Sequence, residues 1–232
     1  MNDLTLYYNP TPNGHKPVLL LEELGVGYDI HYIDIQRGDQ FSKTFDVISP
    51  NNRIPALVDH APNDGIDAPV SVFESGAILY YLADKHGQFL PLDRRARIEV
   101  MQWLFWQVSG LGPMAGQAHH FIHYAPENIE YASQRYVMEC ARLYSVIDKR
   151  LVQSAYLADE YSIADMACWS WVMRHHRHQQ DLADYPNVKR WYDTLEQRPA
   201  VARTRQIAEG YAGVASEVSD EVRQVLFTPV KK

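Results

Sequence analysis

Apolar and polar positions alternate with a period of two in short stretches near the start of the chain, and follow the 3.6-residue helical period nearly everywhere after them. Leu4-Thr5-Leu6-Tyr7-Tyr8 predicts a strand, closed by the turn-rich Asn9-Pro10-Thr11-Pro12-Asn13-Gly14. A helix follows from Pro17, placed where a first turn tolerates proline, through Leu24 to a terminating Gly25. Tyr28 to Ile35 reads as a second strand, and a short helical stretch through Phe45 and Val47 runs into Ser49-Pro50-Asn51-Asn52. Ala56-Leu57-Val58 and Val70-Ser71-Val72-Phe73 flank a polar turn and are suited to a hairpin; Ser75 to Lys85 carries Ile78, Leu79 and Leu82 at helical spacing. The order βαβ-α-ββα is that of a small three-layer α/β unit with a parallel first half and an antiparallel second half.

From Arg94 onward the strand signal disappears. Tyr136/Val137, Cys140, Tyr144, Ile147 and Leu151 fall on one helical stripe, and Ala164, Ala167/Cys168, Trp171 and Val172 on another. Ser162-Ile163-Ala164-Asp165 has the form of a capping box. These patterns predict an α/β domain over residues 1–87, a linker at Gly87 to Asp93 and an all-α domain over 94–232, with a polar, weakly periodic tail from about Val214.

A chain of 232 residues with 46% hydrophobic and 22% charged residues is long enough to bury its own core and is neither disordered nor fibrous. The net charge of −7 argues against nucleic acid as the main partner. No apolar run reaches the roughly 18 residues of a membrane span, and Met1-Asn2-Asp3 opens no signal peptide, so neither membrane nor export is expected. Cys140 and Cys168 form no CxxC or Cys/His ligand pattern, which suits a reducing, cytoplasmic setting. Both sit on apolar helical stripes, the position of buried, inert thiols.

Three local features carry chemistry. Pro55 directly precedes a strand and cannot donate to its ladder, so it belongs at the strand's first position, where a cis bond is admissible and the N–H and C=O of Ile54 can pair with a peptide ligand. Phe73-Glu74-Ser75-Gly76 crosses from strand to helix, so that the Ser75 hydroxyl and the helix amides can hold a carboxylate while Glu74 pairs with an ammonium group. The Asn9 to Gly14 turn opens a helix whose positive end suits a thiolate. Taken singly, Pro55 reads as an ordinary strand-start proline and Ser75 as an ordinary helix cap.

Together and in this order they resemble the cytosolic glutathione transferases, from Leu4 to about Val201. The resemblance rests on Asn52-Arg53-Ile54-Pro55-Ala56-Leu57-Val58-Asp59, Phe73 to Leu82 and Tyr161-Ser162-Ile163-Ala164-Asp165-Met166-Ala167. Thr11-Pro12-Asn13-Gly14-His15-Lys16, Gln102 to Gln107 and Gly110 to Met114 look like the bacterial Nu class, related to bacterial disulfide-bond reductases and to the yeast nitrogen-regulatory prion protein. The resemblance implies a thioredoxin-like N-terminal domain plus an all-α C-terminal domain, a homodimer, and glutathione as co-substrate without a metal. It implies that Ile54 bonds the cysteinyl backbone, Glu74 and Ser75 the γ-glutamyl end, and Gln40 and Arg53 the glycyl end. Asn13 and Arg135, the latter across the dimer toward a second glutathione, complete the set.

No cysteine stands in the first turn, so a thioredoxin-type protein dithiol is excluded there. Tyr7 and Tyr8 alternate across the sheet, and at least one belongs to the core. The resemblance points instead to Thr11 and Asn13, whose work is hydrogen bonding that favours a glutathione thiolate. The expected activity is glutathione-dependent disulfide reduction, with peroxidase activity as an accompaniment. The alternatives are conjugation of glutathione to a small electrophile and a non-catalytic glutathione-binding regulator. His119, His120, His123, His175, His176 and His178 form two clusters without a third ligand type or an HExxH frame, and no metal is expected. His119 to Tyr124 are placed near the electrophile pocket or on the surface; Trp103, Trp106, Trp169 and Trp171 suit either that pocket or the core.

Overall fold

The computed structural model describes residues 2–66, 68–211 and 219–227. They form two compact units: residues 2–85 together with the described residues from Arg203 onward, and residues 86–202.

The first unit is built on a four-stranded sheet in the order β2-β1-β3-β4, from β1 (Leu4–Tyr8), β2 (Asp29–Tyr32), β3 (Ala56–Asp59) and β4 (Val70–Phe73). The β1–β2 pair is parallel and the β1–β3 and β3–β4 pairs are antiparallel, as the element order requires. Leu4, Leu6 and Tyr8 of β1 are buried and Thr5 and Tyr7 half-buried, the alternation of a strand with one core face. Strand β2 is shorter than the period-two run suggests. The Asp34 carboxylate accepts from the Gln36 N–H and turns the chain away after Ile33. Helices α1 (Pro12–Leu24), α2 (Lys43–Ile48) and α3 (Ser75–His86) connect and flank the strands. Helix α1 ends in Gly25 in the left-handed conformation (φ 66°), whose N–H bonds back to the Leu21 carbonyl.

The described residues from Arg203 onward group with this unit for two visible reasons, whereas the sequence pattern places them in the helical domain. The Arg203 guanidinium donates to the Glu22 carboxylate at 2.6 Å and to its carbonyl at 2.8 Å. Tyr211 lies flat against Tyr32 (5.5 Å, 12° between planes) and edge-on to Tyr8 at 5.8 Å. These residues lie on a helix, Pro199–Tyr211, that runs through the boundary. Within the segment read as a tail, Asp220–Phe227 is helical, and residues 214–218 and 228–232 lie outside the described residues.

The second unit is helical. Its α4 (Arg94–Trp106) and α5 (Gly112–His119) are joined by a π-helical turn, Gln107–Leu111, and a second one, His120–Tyr124, follows α5; neither has a signature in the hydrophobic pattern. Long α6 (Glu130–Leu151) buries Cys140, Leu143, Tyr144, Ile147 and Leu151, the predicted stripe shifted toward its C-terminal half. Helix α7 (Ile163–Val172) differs from the predicted one-sided stripe, because all of its residues are buried. The capping box at its start is present: Asp165 accepts from the Ser162 N–H, the Leu157 N–H and the indole of Trp191 in α8 (Pro186–Glu196). Trp169 is fully buried and donates to Glu196 at 2.8 Å, and Trp171 is buried beside it on α7, so both belong to the core. Trp103 and Trp106 are half-buried and meet edge to face at 5.3 Å.

Candidate functional site

The sheet register places the predicted site residues of the first unit at one end. Tyr8 ends β1 beside Tyr32 at the end of parallel β2, so the chain leaving β1 for α1 and the chain leaving β2 toward Gln40 emerge together. Antiparallel pairing of Tyr7 with Ala56 sets Ile54 and Pro55 next to that exit, and pairing of Ala56 with Phe73 sets Glu74 and Ser75 beside them. Thr11, Asn13, Gln40, Arg53, Ile54, Glu74 and Ser75 therefore follow or precede strand ends at one end of the sheet, although the sequence spreads them over more than sixty residues.

At the β1 exit the structure corrects the reading of the turn. Pro12, Asn13 and Gly14 form the first turn of α1, with Thr11 as its cap, and Pro17 lies one turn further in. Proline at the first helical position loses only a donor that would have had no intrahelical partner. Thr11 Oγ1 accepts from the Gly14 N–H at 3.1 Å, which leaves the hydroxyl's own proton directed elsewhere. Gly14 is required by space: a Cβ there would fall on the Asn9 carbonyl oxygen and 3.1 Å from the Tyr8 ring. Tyr8 is fully buried, with its hydroxyl bonded to His15 Nδ1 at 3.3 Å, and is a core residue. Tyr7 is half-buried against Phe45 and His31.

The junction of β4 and α3 is conformationally marked. Glu74 takes φ 72°, a left-handed backbone held by a non-glycine residue, and its carbonyl accepts the first helical bond, from Ile78, at 2.9 Å. Its exposed carboxylate meets the Asn51 amide at 3.5 Å. Ser75, the first residue of α3, is 7% exposed, and its hydroxyl oxygen accepts from Lys16 Nζ at 3.1 Å. Lys16, on α1, is 1% exposed. Neither Lys16 nor Asn51 is among the site residues expected from the sequence. A lysine in an apolar helix gives no local sign that its tip reaches a serine 59 positions away.

Peptide Ile54–Pro55 is cis, as the strand-start proline admits. Ile54 is half-buried and packs against the cluster of Ile33, Phe45 and Ala56. Gln40 is buried in a 3₁₀ turn, its amide nitrogen donating to the Ile35 carbonyl at 3.2 Å and its oxygen buried without a partner among the described residues. The Arg53 side chain is exposed.

Arg135 belongs to the second unit, on α6, where its exposed guanidinium lies 3.5 Å from Glu139. Both cysteines are thiols outside any disulfide and are fully buried there, and burial, aided by Glu139, pushes the Cys140 thiol up to about 12. His119 is buried, against the expectation of a pocket or surface position, with its ring 4.6 Å from that of His178 and 5.8 Å from Trp171. The α5 helix ends there, and the π-helical turn that follows carries the half-buried or exposed His120 to Tyr124. Among the described residues no group of three or more His, Cys, Asp or Glu is arranged to hold a metal, and no helix is long and apolar enough to cross a membrane.

Comparison with known proteins agrees with this geometry. Residues 2–84 match the family model of the glutathione S-transferase N-terminal domain, and residues 111–199 that of the C-terminal domain. The chain is 54% identical to the disulfide-bond oxidoreductase YfcG of Escherichia coli K12, over 86% of this chain and 93% of that protein. It superposes with TM-score 0.81 on a Burkholderia graminis glutathione transferase crystallised with two glutathione molecules per subunit (41% identity, 88% of this chain, 87% of that one). A Pseudomonas putida glutathione transferase with one glutathione disulfide bound per subunit gives TM-score 0.82 at 40% identity, covering 89% and 92% of the two chains. A sheet end that gathers a hydroxyl-capped helix, a cis-proline and a Glu-Ser helix start, in a chain matching both family models, makes this protein a member of the glutathione S-transferase family.

Proposed function

We propose that this protein is a glutathione-dependent disulfide-bond oxidoreductase in which bound glutathione, and no protein cysteine, supplies the reactive thiolate. The observation that carries this reading is the start of α1. A threonine hydroxyl caps the helix where a redox enzyme of this architecture would need a cysteine, and both cysteines of the chain are buried in the other unit. The name of the Escherichia coli relative and the glutathione and glutathione disulfide held by the two transferases support it.

In this reading the Ile54 backbone pairs with the cysteinyl backbone of glutathione, Glu74 with its ammonium group, Ser75 with its γ-glutamyl carboxylate, and Gln40 and Arg53 with its glycyl end. Thr11 donates its hydroxyl proton to the glutathione sulfur, Asn13 adds a second hydrogen bond, and the positive end of α1 favours the anion. The thiolate attacks one sulfur of a substrate disulfide; the S–S bond breaks, the leaving thiolate takes a proton, and a glutathione mixed disulfide remains. A second glutathione thiolate attacks the glutathionyl sulfur and releases the other substrate thiol. Two glutathiones are oxidised to glutathione disulfide and one substrate disulfide is reduced to two thiols. Arg135, acting across a homodimer, holds the second glutathione. Thiols outside any disulfide suit a cytoplasmic setting.

The test is glutathione-dependent reduction of a small model disulfide, followed as NADPH consumption through coupled glutathione reductase, beside conjugation of glutathione to an aryl halide. Fast reduction with weak conjugation is expected. Conjugation outpacing reduction would make the protein a conjugating transferase, and glutathione binding with neither activity would make it a regulator.

A further inference from the structure

Lys16 bonds a residue of the site, yet none of the proposed contacts with glutathione uses it. Its side chain runs inside the first unit at 1% exposure, and its ammonium donates to Ser75 Oγ at 3.1 Å. A lysine is almost never this deeply buried without a polar task. The bond has a direction: an ammonium has three donors and no acceptor, so Ser75 Oγ accepts from it. With that lone pair occupied, the hydroxyl proton of Ser75 points to another acceptor. The serine is also the first residue of α3, so its oxygen meets both the ammonium and the helix's positive end.

We infer that Lys16 is a positioning residue for the γ-glutamyl carboxylate of glutathione: it orients the Ser75 hydroxyl as a donor and sets positive charge behind it. This rests on the functional reading above, and deepens it by assigning the recognition of one ligand group to a buried cation on α1. The arrangement also ties the two ends of the ligand site together mechanically. Lys16 lies just over one helical turn beyond Thr11, so the residue that addresses the sulfur and the one that steadies the carboxylate site share a helix. A ligand lacking that carboxylate forfeits the contact, which makes Lys16 a specificity determinant between glutathione and thiols without a γ-glutamyl α-carboxylate.

The experiment measures binding by calorimetry and turnover with a model disulfide for the wild type, Lys16→Met, Lys16→Arg and Ser75→Ala. It uses two ligands, glutathione and an analogue in which 4-aminobutyrate replaces the γ-glutamyl residue. Lys16→Met should weaken glutathione binding about tenfold to a hundredfold, the range for a hydrogen bond to a charged group. It should leave affinity for the analogue within about twofold and kcat at saturating glutathione within about threefold, while Lys16→Arg, which keeps the charge, should restore most of the glutathione affinity. The double variant with Ser75→Ala should bind glutathione little worse than Ser75→Ala alone, because Lys16 acts through that hydroxyl. Equal losses for glutathione and the analogue in a folded Lys16→Met protein would overturn the inference and reduce Lys16 to a packing residue. Should Lys16→Met fail to fold, the same comparison is made with Lys16→Gln, which removes the charge and keeps a polar tip: a loss of glutathione affinity larger than that for the analogue upholds the inference, and equal losses or none overturn it. A wild type that binds no glutathione would instead defeat the functional reading itself, a result distinct from binding without discrimination.

Discussion

Acidification should loosen the second unit well before ordinary carboxylates titrate. His119 and His178 are 7% and 0% exposed, and their rings meet tilted at 4.6 Å. Burial, then Arg177, His123, Arg174 and His176, hold His119 down to about 3; burial, then the neighbouring His119, His175, His176 and Arg177, hold His178 down to about 2. Each is therefore neutral in the folded protein, and His178 shares a 3.1 Å hydrogen bond with the buried Tyr144 hydroxyl. An unfolded histidine takes its proton near pH 6.5, so below that pH the unfolded chain binds two protons that the folded one refuses, and stability falls as pH falls. At about 1.4 kcal/mol per pH unit per group, the two histidines remove about 4 kcal/mol between pH 6.5 and 5. Asp165 works in the opposite direction. Burial pushes its carboxyl up to about 6 against four hydrogen-bond donations, so the folded state gains a proton first and recovers about 1.4 kcal/mol between pH 6 and 5. The net expectation is a loss of about 2.5 kcal/mol at pH 5 relative to pH 7. Asp59 and Glu139, whose carboxyls are lowered by their cationic partners, lose their contributions only at lower pH. Urea unfolding followed by tryptophan fluorescence reads this unit directly, since Trp103, Trp106, Trp169, Trp171 and Trp191 all lie in it. His119→Phe keeps an aromatic ring beside Trp171 and His178 and should cut the pH-dependent loss by about 2 kcal/mol. Coincident wild-type curves at pH 7 and 5, or an unchanged pH dependence in His119→Phe, would refute the assignment of two neutral buried histidines.

Three further outcomes follow from the site end of the sheet. Ser75→Ala should weaken glutathione binding by about 1.5–3 kcal/mol in a titration, and unaltered affinity would mean that the carboxylate is held elsewhere. Asn13→Ala should lower kcat more than glutathione affinity, since its part is at the sulfur; an unchanged rate would leave that work to Thr11 and the helix. Gly14→Ala should destabilise the first unit by several kcal/mol in thermal unfolding, because its Cβ would meet the Asn9 carbonyl and the buried Tyr8 ring, and a melting temperature equal to wild type would contradict the close approach.

The strands, the hairpin, the capping box and most helices are legible because their patterns are local: Leu4 to Tyr8 alternates and Ser162 to Asp165 carries its own cap chemistry. The start of α1 is misread because Thr, Pro, Asn and Gly serve turns and helix starts equally, and only the bond from Gly14 to Thr11 decides between them. The stripe read on α7 understates it, because the residues between its members are buried as well, and the π-helical turns around α5 shift register without changing composition. Arg203 and Tyr211 join the first unit through Glu22, Tyr8 and Tyr32, partners roughly 180 to 200 positions away. At the site, Ile54, Pro55, Glu74 and Ser75 are legible as a family pattern, whereas Lys16 becomes visible only when α1 and α3 are side by side.

The central claim is that the redox chemistry belongs to bound glutathione. The measurement that tests it most directly is disulfide reduction by the double variant Cys140→Ala/Cys168→Ala, with glutathione disulfide formed and substrate thiols released quantified together. The account predicts turnover within about threefold of wild type, since both thiols are fully buried, and one glutathione disulfide for every substrate disulfide reduced. Lost turnover in a folded variant that still binds glutathione would place a protein cysteine in the reaction and contradict it.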